Sequence, residues 1–428
     1  MKNQTLMQYF EWYLPHDGKH WTRLTNDAEH LANLGISHVW MPPAFKATNE
    51  KDVGYGVYDL FDLGEFDQKG TVRTKYGFKE DYLQAIQTLK SHGIQPMADV
   101  VLNHKAAADH LESFQVIEVD PEDRTIELGE PFTINGWTGF TFDGRQNTYN
   151  DFHWHWYHFT GTDYDAKRRK SGIYLIQGEN KGWAHEELVD NENGNYDYLM
   201  YADLDFKHPE VIHNIYANLD YLEKIEERFD LVDVRLHMNL FEASQAGADY
   251  DLRTIFNDSL VQIKPDKAVT FVENHDTQRG QALESTVEEW FKPAAYALIL
   301  LREQGLPCVF YGDYYGISGQ YAQQDFKEVL DHLLAIRKDL AYGEQTDYFD
   351  DPNCIGWVRS GADNQSPLAI LISNAQENYK TMFVGPEWAD HTFVDLLGNH
   401  SDQVTINTEG YGDFPVAERS VSVWGLTY

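Results

Sequence analysis

Apolar and polar positions in the first hundred residues, and again after residue 207, follow two alternating patterns. Apolar residues three apart, such as Leu83, Ile86 and Leu89, predict helices, whereas short apolar runs such as 268–272 (AVTFV) predict buried strands. Strands that alternate with helices are typical of a parallel sheet with helical crossovers. These stretches therefore predict an α/β fold.

Two other stretches depart from this alternation. The stretch 105–206 is rich in turns, short alternating runs and aromatic clusters, which predicts an irregular β-rich insertion. From about residue 341 onward, apolar residues recur with a period of two between Gly, Asn and Pro, which predicts a C-terminal antiparallel β-sandwich. The predicted order is a sheet domain, an inserted domain, the rest of the sheet domain and a C-terminal domain: residues 1–104, 105–206, 207–340 and 341–428.

Two of the predicted strands lead into similar polar sequences. Residues 96–104 (PMADVVLNH) and 271–278 (FVENHDTQ) each bring an Asn, a His and an Asp close to an apolar run. Parallel-barrel enzymes place their working residues where a buried strand ends and its loop begins, so both segments are candidates for a functional site. The alternative for either segment alone is a helix cap. Two such endings in one chain weaken that alternative.

Composition narrows the range of partners. The chain has 69 acidic and 34 basic side chains, that is, a net charge of −35, which repels phosphate backbones and anionic lipid. Nucleic acid and membranes are therefore not expected partners, whereas a neutral sugar and a bound cation are compatible. The two cysteines, Cys308 and Cys354, indicate no disulfide framework. The N-terminus has no apolar signal run and no segment is long enough to span a bilayer, which predicts a cytoplasmic protein.

Two segments are candidate metal sites. His153, His155 and His158 alternate with aromatic residues, which is compatible with zinc ligands or with a strand that carries histidines on one face. The strand is favoured because no cysteine or nearby carboxylate completes a zinc ligand set. In residues 195–205 (NYDYLMYADLD), the spaced carboxylates are compatible with calcium ligands or with solvated loop acids.

Five segments, taken together and in order, resemble a known enzyme family. They are residues 6–13 (LMQYFEWY), 52–56 (DVGYG), 99–104 (DVVLNH), 201–205 (YADLD) and 272–278 (VENHDTQ). In this combination the chain resembles, over nearly its whole length, the α-amylases of glycoside hydrolase family thirteen, of the bacterial liquefying and intracellular type. The resemblance implies a TIM-type (β/α) barrel, a domain inserted after the third strand and a C-terminal β domain. It also implies retaining endo-hydrolysis of α-1,4-glucosidic bonds in starch, glycogen or maltodextrin.

The resemblance further implies roles for individual residues. Trp12 and Tyr55 would bind substrate, with Tyr55 stacked on the glucose ring beside the scissile bond. His104 and His275 would hydrogen-bond sugar hydroxyls. Asp276 would grip hydroxyls more tightly in the transition state, which fits the chemistry of a flattening cationic ring.

A calcium ion between the barrel and the inserted domain is also implied. Its ligands would be Asn103, Asp197, Asp203 and the carbonyl of Leu204. A second metal site common nearby is less secure, because Thr160 stands where an aspartate is expected.

The sequence departs from the family where the chemistry is most demanding. Retaining hydrolysis needs a nucleophilic carboxylate and an acid/base carboxylate, which end the fourth and fifth strands in the family, and neither motif is found. Asp233 is followed four residues later by His237, which is the Asp-to-His spacing of the family's nucleophile motif. However, Leu231 stands where that motif requires an Arg, and no Glu-bearing strand follows. The segment 231–244 resembles the family's sixth strand instead. About two β/α units are therefore missing, and we place the break near Asp220 and Tyr221.

Three interpretations follow from this departure. The chain is an internally deleted or incompletely recorded α-amylase whose full parent hydrolyses glucan, and which is itself inactive or severely impaired. Alternatively, it is a non-catalytic α-glucan-binding protein that keeps Tyr55, His104 and Asp276. A weaker third interpretation is a structural remnant that does not fold stably.

Overall fold

The computed structural model describes residues 3–183, 199–221, 231–362 and 365–426 of the chain. The first part contains β1 (Leu6–Gln8), α1 (His20–Leu34), β2 (His38–Met41), β3 (Lys46–Ala47), β4 (Val57–Asp59), α2 (Lys79–Ser91) and β5 (Gln95–Ala98). The inserted part contains β6 (His104–Lys105), β7 (His110–Val119), β8 (Phe132–Gly139), β9 (Phe159–Asp165), β10 (Lys170–Ile176) and β11 (Ala202–Leu204).

The second half of the chain returns to strands and helices before it becomes all β. Its mixed part contains α3 (Pro209–Tyr221), β12 (Leu231–Val232), α4 (Val234–Ala246), α5 (Leu260–Ile263), β13 (Ala268–Phe271), α6 (Lys292–Leu300), β14 (Leu306–Phe310), α7 (Tyr311–Tyr315) and α8 (Lys327–Asp339). Its β part contains β15 (Gln345–Tyr348), β16 (Cys354–Arg359), β17 (Leu368–Ser373), β18 (Asn378–Phe383), β19 (Thr392–Asp395), β20 (Gln403–Thr405), β21 (Tyr411–Val416) and β22 (Val421–Gly425).

Six parallel strands form the central sheet, in the order β12-β13-β14-β1-β2-β5. This arrangement confirms the predicted α/β class and its parallel sheet. Among the described residues, β5 and β12 each pair with one strand only and not with each other, so these six strands do not close a barrel. A barrel of this type has eight strands. Within the part of the chain that the structure describes, the sheet is therefore open on the side where β5 and β12 lie.

Burial differs between the middle and the edges of this sheet. All four residues of β13 are buried, as expected for a strand covered on both faces. In β5, three of four residues are exposed, among them Met97 at 36%. Pro96, which has no N–H to donate, is tolerated because β5 is an edge strand. The exposed side chains of β5 and of Val232 in β12 (39% exposed) mark the open side.

Helices pack against the parallel sheet, and their buried apolar side chains form a hydrophobic core with those of the strands. Helix α1 buries Trp21, Leu24, Ala28 and Leu31, and it ends at Gly35, whose positive φ of 89° gives the left-handed cap that glycine favours. Helix α3 runs without interruption from Pro209 to Tyr221, so the proposed break near Asp220 lies within a single helix. No helix in the described part of the chain combines the length and apolar character needed to cross a membrane.

The inserted and C-terminal parts are antiparallel β structures, as predicted. In the insertion the strand order is β6-β11-β9-β10-β7-β8, and β11 places Asp203 opposite His104 of β6. The C-terminal part has a six-stranded sheet, in the order β15-β16-β17-β22-β19-β20, and a separate two-stranded ribbon of β18 and β21. The buried faces of the ribbon and the sheet share one hydrophobic cluster that includes Met382, Phe414 and Trp424.

Candidate functional site

Three aromatic rings lie in nearly parallel planes near the ends of the central strands. Trp12 follows β1, Tyr55 precedes β4 and His275 follows β13. The Tyr55 and His275 rings lie 5.3 Å apart at an interplanar angle of 4°, and the Trp12 ring lies 5.9 Å from Tyr55 at the same angle. The structure thus brings together three residues that the sequence placed in one substrate site. Flat apolar faces of this kind can pack against a sugar ring.

A chain of hydrogen bonds fixes these rings. The Gln8 amide donates to His275 Nδ1 at 3.1 Å, so the proton of the neutral imidazole lies on Nε2, which donates to the Tyr55 oxygen at 2.9 Å. The Tyr55 hydroxyl in turn donates to Asp99 Oδ2 at 2.8 Å. Trp40 Nε1 donates to the same oxygen at 3.2 Å. His275 and Tyr55 each donate one hydrogen bond and accept one, so the geometry specifies a single tautomer of His275.

Burial shifts the pKa of both His275 and Asp99. It lowers the pKa of His275, which keeps the imidazole neutral, and the nearby Asp276 carboxylate opposes this shift only in part. It also raises the pKa of Asp99 from 3.8 to about 6, although the hydrogen bonds from Tyr55 and Trp40 favour the charged form. The charge of Asp276 contributes to the raised pKa of Asp99, so the two carboxylates influence each other electrostatically.

Asp276 is a half-exposed carboxylate of this site. Its side chain is 50% exposed, and Oδ1 lies 3.5 Å from His275 Nε2. The loop is held by Asn274, whose Oδ1 accepts the N–H groups of Asp276 and Thr277 at 2.8 and 3.0 Å. Asn274 therefore caps a turn and not a helix, and this turn presents Asp276 to the solvent beside the three rings.

His104 lies behind Tyr55 and is buried. Its Nε2–H donates to the Tyr55 carbonyl at 2.8 Å, and its Nδ1 accepts from the Asn103 amide at 3.3 Å. Both ring nitrogens of His104 are thus engaged, as are those of His275. A sugar hydroxyl that binds either histidine must replace one of these partners.

Three of the predicted calcium ligands meet where the central sheet joins the insertion. The Asn103 amide lies 3.4 Å from Asp203 Oδ1, and the Asn103 carbonyl accepts the N–H of Leu204 at 3.0 Å. Asp203 is buried (2% exposed), and the Thr160 hydroxyl donates to its other oxygen. Carboxylate oxygens such as those of Asp203 are of the type that calcium prefers. Asp197, the fourth predicted ligand, lies outside the described residues.

Asp205, the last aspartate of residues 201–205, forms an ion pair with Lys181. Lys181 Nζ lies 2.5 Å from Asp205 Oδ2, and both side chains are buried. Lys181 also donates to the Tyr157 carbonyl at 2.7 Å. The ammonium therefore neutralises the Asp205 carboxylate within the fold.

The three alternating histidines do not lie on one face of a strand, and that prediction was wrong. Residues 156–158 form a short 3₁₀ turn before β9. His158 instead meets His208 and Glu210 of another segment, with 3.1 Å between His158 Nε2 and Glu210 Oε2. Its Nδ1 accepts the His155 N–H at 2.9 Å, so the neutral ring carries its proton on Nε2 and donates to Glu210. That proton blocks the ring nitrogen that a metal would need.

Two other carboxylates near the central strands are committed to the fold. Asp233 is 1% exposed and accepts the backbone N–H groups of Leu236, Leu260 and Val261 at 2.7 to 3.0 Å, which joins the starts of α4 and α5. Glu273 is buried, accepts the Val287 N–H at 2.5 Å and lies 3.8 Å from Lys292. Neither carboxylate has an oxygen available for a substrate.

The sequence interpretation assigned no role to Gln8, Trp40 and Asp99. Gln8 and Asp99 lie within two of the segments that carry the family resemblance, and Asp99 directly follows β5, where the strand-end rule could have identified it. Trp40 has no signal beyond its place in β2. A cavity of about 750 Å³ lies elsewhere, between the end of α4 and the C-terminal part. It is lined mainly by amides and carboxylates and includes none of the stacked rings.

Comparison with known proteins identifies the family of this chain. The model of the α-amylase catalytic domain matches residues 18–227, and that of the α-amylase C-terminal domain matches residues 368–425. An α-amylase of Geobacillus stearothermophilus is 47% identical over 99% of this chain and 87% of its own length. The cytoplasmic α-amylase of Escherichia coli is 38% identical over 99% of both chains. The crystal structure of an α-amylase from Geobacillus thermoleovorans with acarbose shares the fold, with a TM-score of 0.61 at 15% identity over 100% of this chain and 98% of that one.

The alignments also reveal residues that this chain lacks. The alignment with the Geobacillus stearothermophilus enzyme spans 479 positions against the 428 residues of this chain, so at least 51 residues of that relative have no counterpart here. The alignment with the Escherichia coli enzyme spans 489 positions, which leaves at least 61 without a counterpart. Apart from these gaps, the identity extends over nearly the whole chain, and the chain therefore belongs to the α-amylase family.

Proposed function

We propose that this chain binds α-1,4-glucan through Trp12 and Tyr55 beside Asp276, and that its hydrolysis of the bound glucan is severely impaired or absent. The observation that carries this proposal is the group of three rings in nearly parallel planes next to a half-exposed carboxylate. In this proposal His104 and His275 hydrogen-bond the sugar after a ligand displaces their present partners. Starch, glycogen and maltodextrin are the corresponding substrates.

The loss of turnover follows from the carboxylates that are present. Retaining hydrolysis needs a nucleophile and an acid/base about 5 Å apart, in addition to a group such as Asp276 that stabilises the transition state. Among the described residues, Asp233 and Glu273 are committed to backbone groups, and Asp99 is held by Tyr55 and Trp40. A complete relative would hydrolyse internal bonds by this route, whereas this chain lacks the pair.

The missing pair belongs, in this proposal, to two absent β/α units near Asp220 and Tyr221. A barrel of about 250 residues has roughly 30 residues per unit, so two units amount to about 60. The gaps of at least 51 and 61 positions in the two alignments are of this size. The six parallel strands, open between β5 and β12, are what remains when the fourth and fifth strands are removed.

Calcium is part of the proposal. Asn103, Asp203 and the Leu204 carbonyl would supply oxygens, joined by Asp197, and the ion would tie the insertion to the end of β5. A ligand from the absent units is lost, so the affinity falls below that of a complete site. We also propose a cytoplasmic location, in line with the name of the Escherichia coli relative.

Two interpretations of the biology remain as alternatives with different tests. If the chain is a deleted enzyme, sequencing of the encoding gene across the codons for Asp220 and Tyr221 reveals the missing segment or its junction. If it is a dedicated glucan-binding protein, the gene is continuous there and the chain still binds glucan.

Calorimetric titration with maltoheptaose tests the proposal. Trp12→Ala should weaken binding about tenfold or more, because it removes one of the stacked faces. Tyr216→Ala is the matched control, since Tyr216 is 65% exposed on α3 and lies outside the site. Binding that is equal in the native chain and in Trp12→Ala would overturn the proposed site.

A further inference from the structure

The ribbon of β18 and β21 presents aromatic side chains to solvent. Along β18, Lys380 and Met382 point inward while the residues between and beside them are exposed. Tyr379 is 64% exposed, Phe383 43% and Tyr411, on β21, 39%. Strand alternation places all three on the same outer face, because inward and outward positions alternate and the register pairs Phe383 with Tyr411.

The outer face has three rungs of paired residues. Phe383 and Tyr411 form the first, with ring centroids 5.1 Å apart at an angle of 60°. Thr381 and Asp413 form the second, and the Thr381 hydroxyl donates to Asp413 Oδ1 at 2.6 Å. Tyr379, opposite Pro415, belongs to the third. Two aromatic rungs thus flank one polar rung.

From this arrangement we infer that the outer face of the β18–β21 ribbon is a second glucan-binding surface, separate from the Trp12–Tyr55 stack. A sugar has apolar C–H faces and a rim of hydroxyls, so it can pack on an aromatic ring while its hydroxyls reach Thr381 and Asp413. Rungs two residues apart on a strand are separated by about 7 Å, so Tyr379 and Phe383 are about 13 Å apart. A ligand that touches both is therefore an oligosaccharide or a polysaccharide chain.

Size and charge favour this occupant over a protein. A buried aromatic side chain contributes 150–250 Å², so three that are about half exposed offer roughly 300 Å², far below the about 1,000 Å² of a stable interface. Asp413 and the net charge of −35 oppose anionic partners but not a neutral glucan. The choice of ligand rests on the proposed function, whereas the location of the surface does not.

Affinity electrophoresis in native gels that contain soluble starch tests the inference. Four chains are compared: the native chain, the ribbon variant Tyr379→Ala/Phe383→Ala, the stack variant Trp12→Ala, and a variant with all three changes. Tyr216→Ala controls for the loss of one exposed tyrosine, and thermal unfolding verifies that each variant folds. We expect the ribbon variant to bind about fivefold more weakly than the native chain, and the triple variant to lose the retardation that remains in the stack variant.

Each other outcome is decisive. Retardation that depends on Trp12 alone overturns the ribbon surface and leaves the proposed function intact. Retardation that depends on the ribbon alone supports the surface and overturns the Trp12–Tyr55 site. Absence of retardation in the native chain overturns both. Self-association of the native chain that the ribbon variant abolishes, without any effect of starch, would show that a second copy and not glucan occupies this face.

Discussion

The Tyr55 hydroxyl donates a hydrogen bond to Asp99 Oδ2 at 2.8 Å, and this contact links the aromatic stack to an acid with a raised pKa. Asp99 directly follows the exposed edge strand β5, and the Tyr55 hydroxyl that donates to it also accepts a hydrogen bond from His275. The acid therefore lies between the open side of the sheet and the proposed glucan site. The protonation state of Asp99 should therefore affect the stability of the sheet edge and of the proposed glucan site.

The free energy of unfolding should depend on pH through the titration of Asp99. Because burial raises its pKa from 3.8 to about 6, the native state binds more protons than the unfolded state between these values. The free energy of unfolding thus has its full contribution from Asp99 below about pH 4 and loses it as the pH rises through 6, by up to about 3 kcal/mol. Urea unfolding of the native chain and of Asp99→Asn between pH 4 and 7 measures this. The native chain should lose stability relative to the variant, and parallel curves would contradict the assignment.

Asp233 is expected to be structural. In Asp233→Asn one carboxylate oxygen becomes an amide N–H₂ that cannot accept, which leaves one of the N–H groups of Leu236, Leu260 or Val261 without an acceptor. The free energy of unfolding should fall by about 1–3 kcal/mol. Asp402→Asn, at an acid with a side chain 68% exposed, is the control and should change it by less than about 0.5 kcal/mol. A fully stable Asp233→Asn chain would show that this carboxylate has another role.

Calcium should bind, but more weakly than at a complete site. Calorimetric titration should give a dissociation constant in the micromolar range or above, and Asp203→Asn should abolish the binding because it removes a buried carboxylate. Asp402→Asn again serves as the control. Nanomolar affinity in the native chain would show that no ligand is missing and that the proposed gap is misplaced.

The open side of the sheet should promote association. Among the residues that the structure describes, β5 and β12 each pair with one neighbouring strand only, and sheet edges of this kind favour association with another copy. Light scattering at increasing concentration should detect dimers or larger species. Met97→Lys and Val232→Lys, which put a charge on the two edges, should reduce them. A native chain that stays monomeric and unfolds in one sharp transition would contradict this expectation.

The sequence predicted the architecture because its periodicities are local. The three-residue spacing in α2 and the apolar run of β13 determine those elements directly, and Gly35 ends α1 through its backbone conformation. The number of parallel strands could also be counted from such runs. What these patterns do not contain is pairing, so the open side between β5 and β12 became visible only in the strand order.

The site was predicted only in part, because local sequence motifs identify some of its residues but not the contacts between distant segments. Trp12, Tyr55 and His275 were identified from motifs, and the structure brings them together. The roles of Gln8 and Trp40 depend on contacts with residues 267 and 59 positions away, which no local pattern records. His158 shows the reverse case, since Glu210, the carboxylate absent from its neighbourhood in sequence, lies 52 positions away and contacts it in space.

The release of reducing ends from soluble starch tests the central claim most directly. The sample is purified chain whose intact mass matches 49.5 kDa, assayed beside a complete α-amylase of the family. General acid catalysis alone contributes about 10² to 10⁴ in rate, and the nucleophile is missing as well, so we expect release at or near the background without enzyme. Asp276→Asn and Asp233→Asn should leave that background unchanged. Robust release by the native chain that either substitution abolishes would show that a working set of carboxylates is present and that this account of the chain is wrong.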